Sequence, residues 1–289
     1  CPPFVVYMFT LPMNARCLAH HFYKLPVLCL LFGVQASFLN VIAAEPKPLK
    51  VYILSGQSNM QGHAKIETFE HIGMDPKTAP LLAEMLTGDG TPRVCADVWI
   101  SYLSTDLEKQ GQLTAGFGAD DSKIGPEFTF GITMEKALEE PILIIKTAWG
   151  GKSLHTDFRS PSAGPYEFTE AQLEQFTKRG DDIDQRKADK VEATGHYYRL
   201  MIDHVKKVLA DINAVYPGYD SRLGYELAGF VWFQGWNDLV DSATYPTRDQ
   251  PGGYDAYSEG FAHFIRDVRT ALCYWRLGSE WTCCELLAG

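Results

Sequence analysis

One seven-residue segment constrains the fold of this chain more than any other: Gly56-Gln57-Ser58-Asn59-Met60-Gln61-Gly62. It follows residues 50–55, a short apolar run with the composition of a buried strand. A serine at the carboxyl end of a first strand, between glycines that permit a sharp turn, is where α/β hydrolytic enzymes place a nucleophile. Met60 stands where the α/β-hydrolase elbow has its second glycine, so the segment is a different serine motif.

The rest of the chain predicts an α/β domain around that first strand. Three more apolar, β-branched or aromatic runs bounded by turn residues predict strands, at residues 96–103, 141–148 and 227–234. Apolar residues at helical spacing predict helices over residues 194–216 and 254–272. Strands that alternate with helices form parallel sheets covered on both faces, and the site of such a sheet lies beyond the carboxyl ends of its strands.

Two long segments are predicted to be loops over that edge, at residues 111–125 and 153–191. The length of 289 residues and the apolar fraction of 46% suit one domain, which we place at residues 47–269. The tail, residues 270–289, changes character and suggests a frameshift or truncation after Arg269.

Residues 1–45 are predicted to be a leader outside the domain. Met13 resembles a true start, a weakly basic stretch and an apolar run over residues 25–44 follow, and small residues at Ala43 and Ala44 suit cleavage near Ala44. The leader predicts export to the periplasm or the medium. The alternative is a membrane anchor formed by residues 25–44.

Charge and cysteine content exclude several classes of function. The net charge of −10 argues against a nucleic-acid partner and against binding to anionic membranes, apart from a leader that stays uncleaved. The seven cysteines include no Cys-x-x-Cys pair and no Cys/His ligand spacing, so no metal site is predicted.

Three further clusters lie at predicted element ends on the same sheet edge. They are Gly125-Pro126-Glu127, Trp149-Gly150-Gly151-Lys152-Ser153 and Trp232-Phe233-Gln234-Gly235-Trp236-Asn237-Asp238. Glycine N–H groups and side-chain amides can hold the oxyanion of a tetrahedral intermediate, and removing one such donor lowers the rate by about 10²–10³-fold. Tryptophan offers a flat apolar surface that suits a sugar.

The order of these motifs resembles the sialate O-acetylesterase-type branch of the SGNH hydrolases. The resemblance implies a flavodoxin-like α/β/α sandwich of three layers with a parallel sheet, and a serine esterase that removes O-acetyl groups from a carbohydrate without a metal or organic cofactor. It makes Ser58 the nucleophile, with its own N–H in the oxyanion hole. Asn237 or Gln234 would supply a side-chain donor, and a backbone donor would come from Gly125, Gly150 or Gly151. Candidate substrate contacts are Gln57, Asn59, Gly125, Trp149, Gly150, Gly151, His155 and Trp236.

Two positions depart from the pattern that the resemblance implies. Trp236 stands where the branch has glutamate. None of the eight histidines has an aspartate three residues before it, although the branch takes its base from an Asp-x-x-His motif after a fifth strand. We therefore expect the chain to lack its last strand, its last helix and its catalytic histidine, and to have little or no esterase activity, because serine is a poor nucleophile without a base.

Three alternatives stay open at this point. His155 could act as a substitute base beside residues 149–151. The chain could bind a carbohydrate in the same cleft without chemistry, as a pseudoenzyme. It could also be a lipid or thioester hydrolase of the same fold, although it has no apolar lid segment.

Overall fold

The computed structural model describes residues 7–9, 47–105 and 107–276. Its strands are β1 (Tyr7–Phe9), β2 (Leu49–Gly56), β3 (Ala64–Lys65), β4 (Val98–Leu103), β5 (Glu108–Gln112), β6 (Lys123–Ile124), β7 (Ile142–Ala148) and β8 (Tyr225–Phe233). Its α-helices are α1 (Ser58–Gln61), α2 (Phe69–Ile72), α3 (Ala79–Met85), α4 (Pro126–Leu138), α5 (Glu170–Arg179), α6 (Ile183–Ala193), α7 (His196–Ala210), α8 (Trp236–Val240) and α9 (Asp255–Arg276). Short 3₁₀ turns lie at Ile66–Thr68, Pro161–Ala163 and Ile212–Ala214.

The main sheet has six strands in the order β1-β8-β2-β7-β4-β5. The four inner strands run parallel, and the two edge strands, β1 and β5, run antiparallel to their neighbours. A separate two-stranded ribbon joins β3 to β6. The predicted α/β fold with a mostly parallel sheet is confirmed, and β2 lies between β7 and β8, so the turn after β2 lies between the ends of those two strands.

Both faces of the sheet are buried, which explains why its inner strands are continuously apolar. Along β2, Val51 and Ile53 belong to one core cluster, and Tyr52 and Leu54 belong to the other. Helices α7 and α9 cover the first face, and α3 and α4 cover the second. The chain therefore forms three layers, helix on sheet on helix, and the alternation of side chains along each strand supplies both cores.

The predicted strands and helices are present, with shifted ends. The helix predicted over residues 194–216 begins at His196, because Gly195 adopts a left-handed φ of +69° that separates it from α6. Helix α9 continues past Arg269 to Arg276, and Leu272 is 1% exposed in the core under this helix. The frameshift or truncation after Arg269 stays a prediction.

Both predicted loops contain regular structure. The segment over residues 111–125 includes the end of β5 and all of β6. The segment over residues 153–191 is irregular only in its first half, and its second half holds α5 and most of α6. A capping box between Thr169 and Gln172 starts α5, and the Asp182 side chain caps α6. The loop prediction was wrong there because both helices are polar and lack a strong apolar stripe.

The predicted leader and tail lie mostly outside the described residues, and the cleavage near Ala44 and the domain boundaries stay predictions. Within the predicted leader, the structure describes β1, which pairs with β8 at the sheet edge. The alternative membrane anchor at residues 25–44 also lies outside the described residues. Among the helices of the described ranges, none is both long and apolar enough to cross a membrane.

Gly56 permits the contact between β2 and β8 just before the serine turn. A β-carbon at this position would lie 2.3 Å from the carbonyl oxygen of Phe233, and the obstacle is main chain that cannot rotate away. We expect Gly56→Ala to lower the free energy of unfolding by about 1–3 kcal/mol, the usual cost of overpacking. Urea denaturation would measure the change.

Gly88→Ala is the matched control, because a β-carbon on Gly88 would meet no atom within 4 Å. We expect this control to change stability by less than about 1 kcal/mol. Equal stability of the two variants would contradict the close contact at Gly56.

Candidate active site

Ser58 is the first residue of α1, directly beyond the carboxyl end of β2. Its side chain is partly exposed, whereas the neighbouring Gln57 and Met60 are fully buried. Carbonyl groups of Gln57 and Ser58 accept the N–H groups of residues 60–62, which closes the turn. The serine hydroxyl is therefore held at the sheet edge on a short, tightly bonded turn.

The side chain of Gln57 is buried and contacts Ser58. Its Nε2 donates a hydrogen bond of 2.9 Å to Ser58 Oγ, and its side chain is 0% exposed. A donor on Oγ occupies one lone pair and leaves the serine proton to point elsewhere. The expectation that Gln57 touches substrate is corrected, because the buried amide reaches Ser58 instead.

Of the three candidate glycine donors, Gly150 lies beside the serine. A β-carbon on Gly150 would lie 3.9 Å from Ser58 Cβ. Within the described residues, the N–H groups of Ser58 and Gly150 take part in no hydrogen bond. Gly151 is also exposed, with a φ of +75°. The N–H groups of Ser58 and Gly150 therefore stay available to a ligand, and both remain candidate oxyanion donors.

Gly125 cannot be the backbone donor. Its N–H donates a hydrogen bond of 2.8 Å to the Glu127 carboxylate. Its α-carbon packs against Gly62, where a β-carbon would lie 2.1 Å from it. Gly125 therefore serves the close packing of the serine turn on the start of α4, and its expected roles in the oxyanion hole and in substrate binding are corrected.

Gln234 has no N–H left for an oxyanion. Its Nε2 donates to the Lys152 carbonyl at 3.1 Å and to Asp238 Oδ2 at 2.5 Å. Its Oε1 accepts a hydrogen bond of 3.2 Å from the Tyr257 hydroxyl. The expected catalytic role of Gln234 is thus corrected to a structural one, in which it joins β8 to the loop after β7.

Asp238 is the centre of that junction, and the sequence did not mark it as a site residue. Its buried carboxylate accepts four hydrogen bonds: from the N–H groups of Leu154 (2.8 Å) and His155 (3.1 Å), from Gln234 Nε2 (2.5 Å) and from the Tyr245 hydroxyl (3.0 Å). The loop after β7 and helix α8 are therefore fixed to each other by one charge. An aspartate next to the predicted donor Asn237 was the available signal, but two of its partners, Leu154 and His155, lie more than 80 residues away in sequence.

Asn237 and Trp236 lie on α8. The side-chain amide of Asn237 makes no hydrogen bond among the described residues, and its buried Oδ1 is unpaired there. Trp236 is 47% exposed. Asn59, on α1, is partly exposed as well. These three side chains remain candidates for contact with a transition state or a substrate.

Trp149 is excluded from the substrate surface. It is 1% exposed and packs in the core, with ring centroids 6.0 Å from Phe158 and 5.1 Å from Tyr197. Its backbone N–H donates to the Gly56 carbonyl at 3.2 Å. The residue anchors the loop that carries Gly150, so its expected role is corrected to core packing.

His155 has both ring nitrogens engaged away from Ser58. Its Nε2 lies 3.0 Å from Asp241 Oδ2, and its Nδ1 lies 2.7 Å from Thr156 Oγ1. Lys190 Nζ donates to the same Thr156 oxygen at 2.8 Å. Because the Asp241 carboxylate can only accept, the proton of the neutral ring lies on Nε2, and Nδ1 accepts the proton of the Thr156 hydroxyl.

This arrangement argues against His155 as a substitute base. Burial lowers its pKa, and the nearby charges of Asp238 and Asp241 only partly oppose that shift. The nitrogen that could accept a proton already faces Thr156. Its ring instead helps to join the loop after β7 to Asp241 beyond α8 and, through Thr156, to Lys190 of α6.

The other histidines of the described residues form no hydrogen bond with Ser58. His204 is buried and lies 3.2 Å from Ser101 Oγ, and His263 Nδ1 lies 2.8 Å from Ser162 Oγ. His63 and His196 are exposed, and His71 faces Glu70 on the surface. Among the described side chains, the hydrogen-bond partner of Ser58 Oγ is Gln57 and not an imidazole.

The four-donor carboxylate of Asp238 gives the first prediction for this site. Asp238→Asn would turn an NH₂ group toward donors, and each buried donor left unpaired costs about 1–3 kcal/mol. We expect the free energy of unfolding to fall by at least that amount, measured by urea denaturation. The exposed Asp249→Asn is the control, expected within about 0.5 kcal/mol of the parent, as is usual at the surface. Equal stabilities would refute the hub role of Asp238.

The position of the His155 proton gives the second prediction. In NMR titrations, we expect His155 to gain a proton below the ordinary pKa of 6.5, because its burial disfavours the imidazolium. Asp241→Asn should lower the midpoint further, since the carboxylate favours the charged ring. A lowered native pKa means that the stability from this residue is complete above about pH 6.5 and is lost as the pH falls below it. A midpoint above 6.5 would contradict this account.

Comparison with known proteins identifies a family for most of the chain. A family model described as carbohydrate esterase, sialic acid-specific acetylesterase, matches residues 48–278. No curated protein matches the chain. A solved structure of an Arabidopsis thaliana protein is 18% identical, with a TM-score of 0.39 over 78% of this chain and 70% of that one. A carbohydrate acetylesterase from Xanthomonas citri is 14% identical, with a TM-score of 0.41 over 76% of this chain and 38% of that one.

Neither structural likeness is close enough to bear on activity. The family model covers most of the chain and includes the serine turn, Gly150, Asn237 and the helices that follow. The chain therefore belongs to the family of carbohydrate esterases described as sialic acid-specific acetylesterases.

Proposed function

We propose that Ser58 is the nucleophile with which this chain removes O-acetyl groups from a carbohydrate of the sialate or xylan type. The observation that carries the proposal is the place of Ser58: a partly exposed hydroxyl at the end of the central strand, beside Gly150. The family to which the chain belongs consists of carboxylic ester hydrolases that act on acetylated carbohydrate. An exported location for this reaction is part of the same proposal.

The proposed reaction follows from the groups around Ser58. Its Oγ attacks the acetyl carbonyl carbon and gives up its proton to a base, and the carbonyl oxygen becomes an oxyanion. The N–H groups of Ser58 and Gly150, with the amide of Asn237, hold that charge. The C–O bond to the sugar then breaks, the sugar oxygen takes a proton, and water hydrolyses the acetyl-serine to acetate and restores the hydroxyl.

We further propose that the 289-residue chain carries out this reaction slowly. The described histidines are engaged elsewhere or lie on the surface, and no Asp-x-x-His sequence occurs among the residues of the chain. In a serine protease, loss of the histidine lowers kcat by about 10⁶-fold. The hydroxyl and its oxyanion donors would then remain in place without an efficient acceptor for the serine proton.

Chemical rescue tests both parts of the proposal. We expect slow release of acetate from 4-nitrophenyl acetate, acetylated xylan and O-acetylated sialic acid. Added imidazole should raise the Ser58-dependent rate at least about tenfold, because a general base contributes about 10²–10⁴-fold in enzymes. Ser58→Ala measures the background reaction of imidazole itself, and the exposed Ser162→Ala is the matched control.

Each outcome separates the two parts. If acetate is released fast without imidazole, and Ser58→Ala abolishes that release, the proposal of slow turnover is wrong. The proposal that Ser58 is the nucleophile would still stand. No Ser58-dependent release, even with imidazole, would overturn the nucleophile.

A second candidate function is carbohydrate binding without turnover. The exposed face of Trp236, next to Asn237, is the observation that favours it, because an aromatic ring at a cleft edge suits the apolar face of a sugar. In the same experiment, tryptophan fluorescence that responds to an acetylated sugar, together with no acetate release in imidazole, would favour binding alone.

A further inference from the structure

A fully buried ion pair lies directly against the serine turn. Lys146 of β7 and Glu127 in the first turn of α4 both have side chains that are 0% exposed, and Nζ lies 2.5 Å from Oε2. Burial lowers the pKa of Lys146 and raises that of Glu127, and the attraction between the two charges opposes both shifts. Removing two charges from water offsets most of their attraction, so stability alone is a weak reason for such a pair.

The ammonium form of Lys146 satisfies every polar contact of its nitrogen. Its Nζ donates to three acceptors: the carbonyl oxygens of Gln61 (2.9 Å) and Phe117 (2.7 Å) and the Glu127 carboxylate. A neutral amine has only two hydrogens, whereas the ammonium has three. The ring of Tyr102 lies 4.4 Å from the same nitrogen and closes its remaining side. Every hydrogen of the cation is therefore used.

The contacts of the pair converge on the turn that carries Ser58. Gln61 is the last residue of α1, and its carbonyl is one of those that a helix end leaves without a partner. The other oxygen of Glu127 accepts the Gly125 N–H at 2.8 Å, and Gly125 packs backbone to backbone on Gly62. At the contact between α1 and α4, Lys146 therefore binds the end of α1, and Glu127 binds the start of α4.

We propose that the Lys146–Glu127 pair positions the nucleophile, by fixing residues 57–62 so that Ser58 Oγ stays beside Gly150. This inference rests on the proposed function of Ser58 and adds two positioning residues to it. The pair touches neither Ser58 nor the exposed cleft, and it acts through the Gln61 carbonyl and Gly125. Small displacements are enough for such an effect, since a shift of about 1 Å at a reacting group can lower a rate by about 10²-fold.

The double variant Lys146→Met with Glu127→Gln tests this role. It leaves no unpaired charge in the interior, so we expect a folded protein. The variant removes the hydrogen bonds that Lys146 donates to Gln61 and that the Glu127 carboxylate accepts from Gly125, however. Amide hydrogen exchange of residues 58–62 should therefore accelerate at least about tenfold. The Ser58-dependent kcat in imidazole should fall by about 10²-fold, because the hydroxyl of Ser58 loses its orientation. KM should stay within about twofold, because the residues that would bind the substrate are unchanged.

The matched control is the double variant Lys50→Met with Glu226→Gln. This ion pair joins strands β2 and β8, with Nζ 3.5 Å from Oε1, and it lies near the ends of those strands that are remote from Ser58. We expect it to leave exchange of residues 58–62 and kcat unchanged. Glu127→Asp serves as a milder second variant if the first does not fold, because it keeps both charges and withdraws the carboxylate from Gly125.

Unchanged exchange of residues 58–62 in the Lys146/Glu127 variant, or equal acceleration in the control, would overturn the positioning role. Exchange reports on the turn whether or not Ser58 is a nucleophile. Accelerated exchange without any Ser58-dependent turnover in the parent would therefore refute the proposed function and not the anchoring of the turn. A rise in KM together with a fall in kcat would indicate damage to the whole substrate site and would also count against positioning.

Discussion

The geometry around Ser58 depends on close contact of main chain with main chain. At Gly56, β2 lies against the last carbonyl of β8, and at Gly62, α1 lies against Gly125 at the start of α4. A side chain at any of these glycines would overlap backbone atoms, which cannot rotate away as a side chain would. The glycines of the serine motif therefore do more than permit a turn, since they allow β2 to contact β8 and the end of α1 to contact the start of α4.

Hydrogen bonds to charged groups also hold the segments around Ser58 in place. Asp238 joins the loop after β7 to helix α8, on the side of the cleft that carries Gly150 and Asn237. Lys146 and Glu127 join the end of α1 to the start of α4, on the buried side of the serine. Hydrogen bonds to charged groups are shorter and stronger than neutral ones. The cleft is thus bounded by two networks that approach Ser58 from different directions without contacting it.

The elements that could be predicted from the sequence are those whose signal is local. Strands β2 and β7 are continuously apolar because both their faces are buried, and α7 shows helical spacing for the same reason on one face. Strand β5 was missed because it is a polar edge strand with alternate residues exposed. Helices α5 and α6 were missed because they are polar, although the Thr169–Gln172 box and the Asp182 cap could have identified their starts.

The roles of single residues in the site were harder to predict. Ser58 needs only its place after a strand, which the sequence contains. The difference between Gly125 and Gly150, or between Gln234 and Asn237, depends on which amide groups already have partners, and those partners lie in distant segments. Trp149 and Trp236 both follow strands next to glycines, yet one is buried and the other is exposed, because only the first meets Phe158 and Tyr197.

The short strand β1 lies within the predicted leader and would be lost if the chain were cleaved near Ala44. Its three residues cover the outer edge of β8, whose opposite edge supports the serine strand. Proteolytic removal of the chain up to Ala44 would take β1 away and leave peptide groups of β8 without partners along that edge. An uncovered strand of this kind is a template for pairing with another polypeptide. Processing of the amino terminus would thus alter the colloidal behaviour of the domain while leaving the cleft residues untouched.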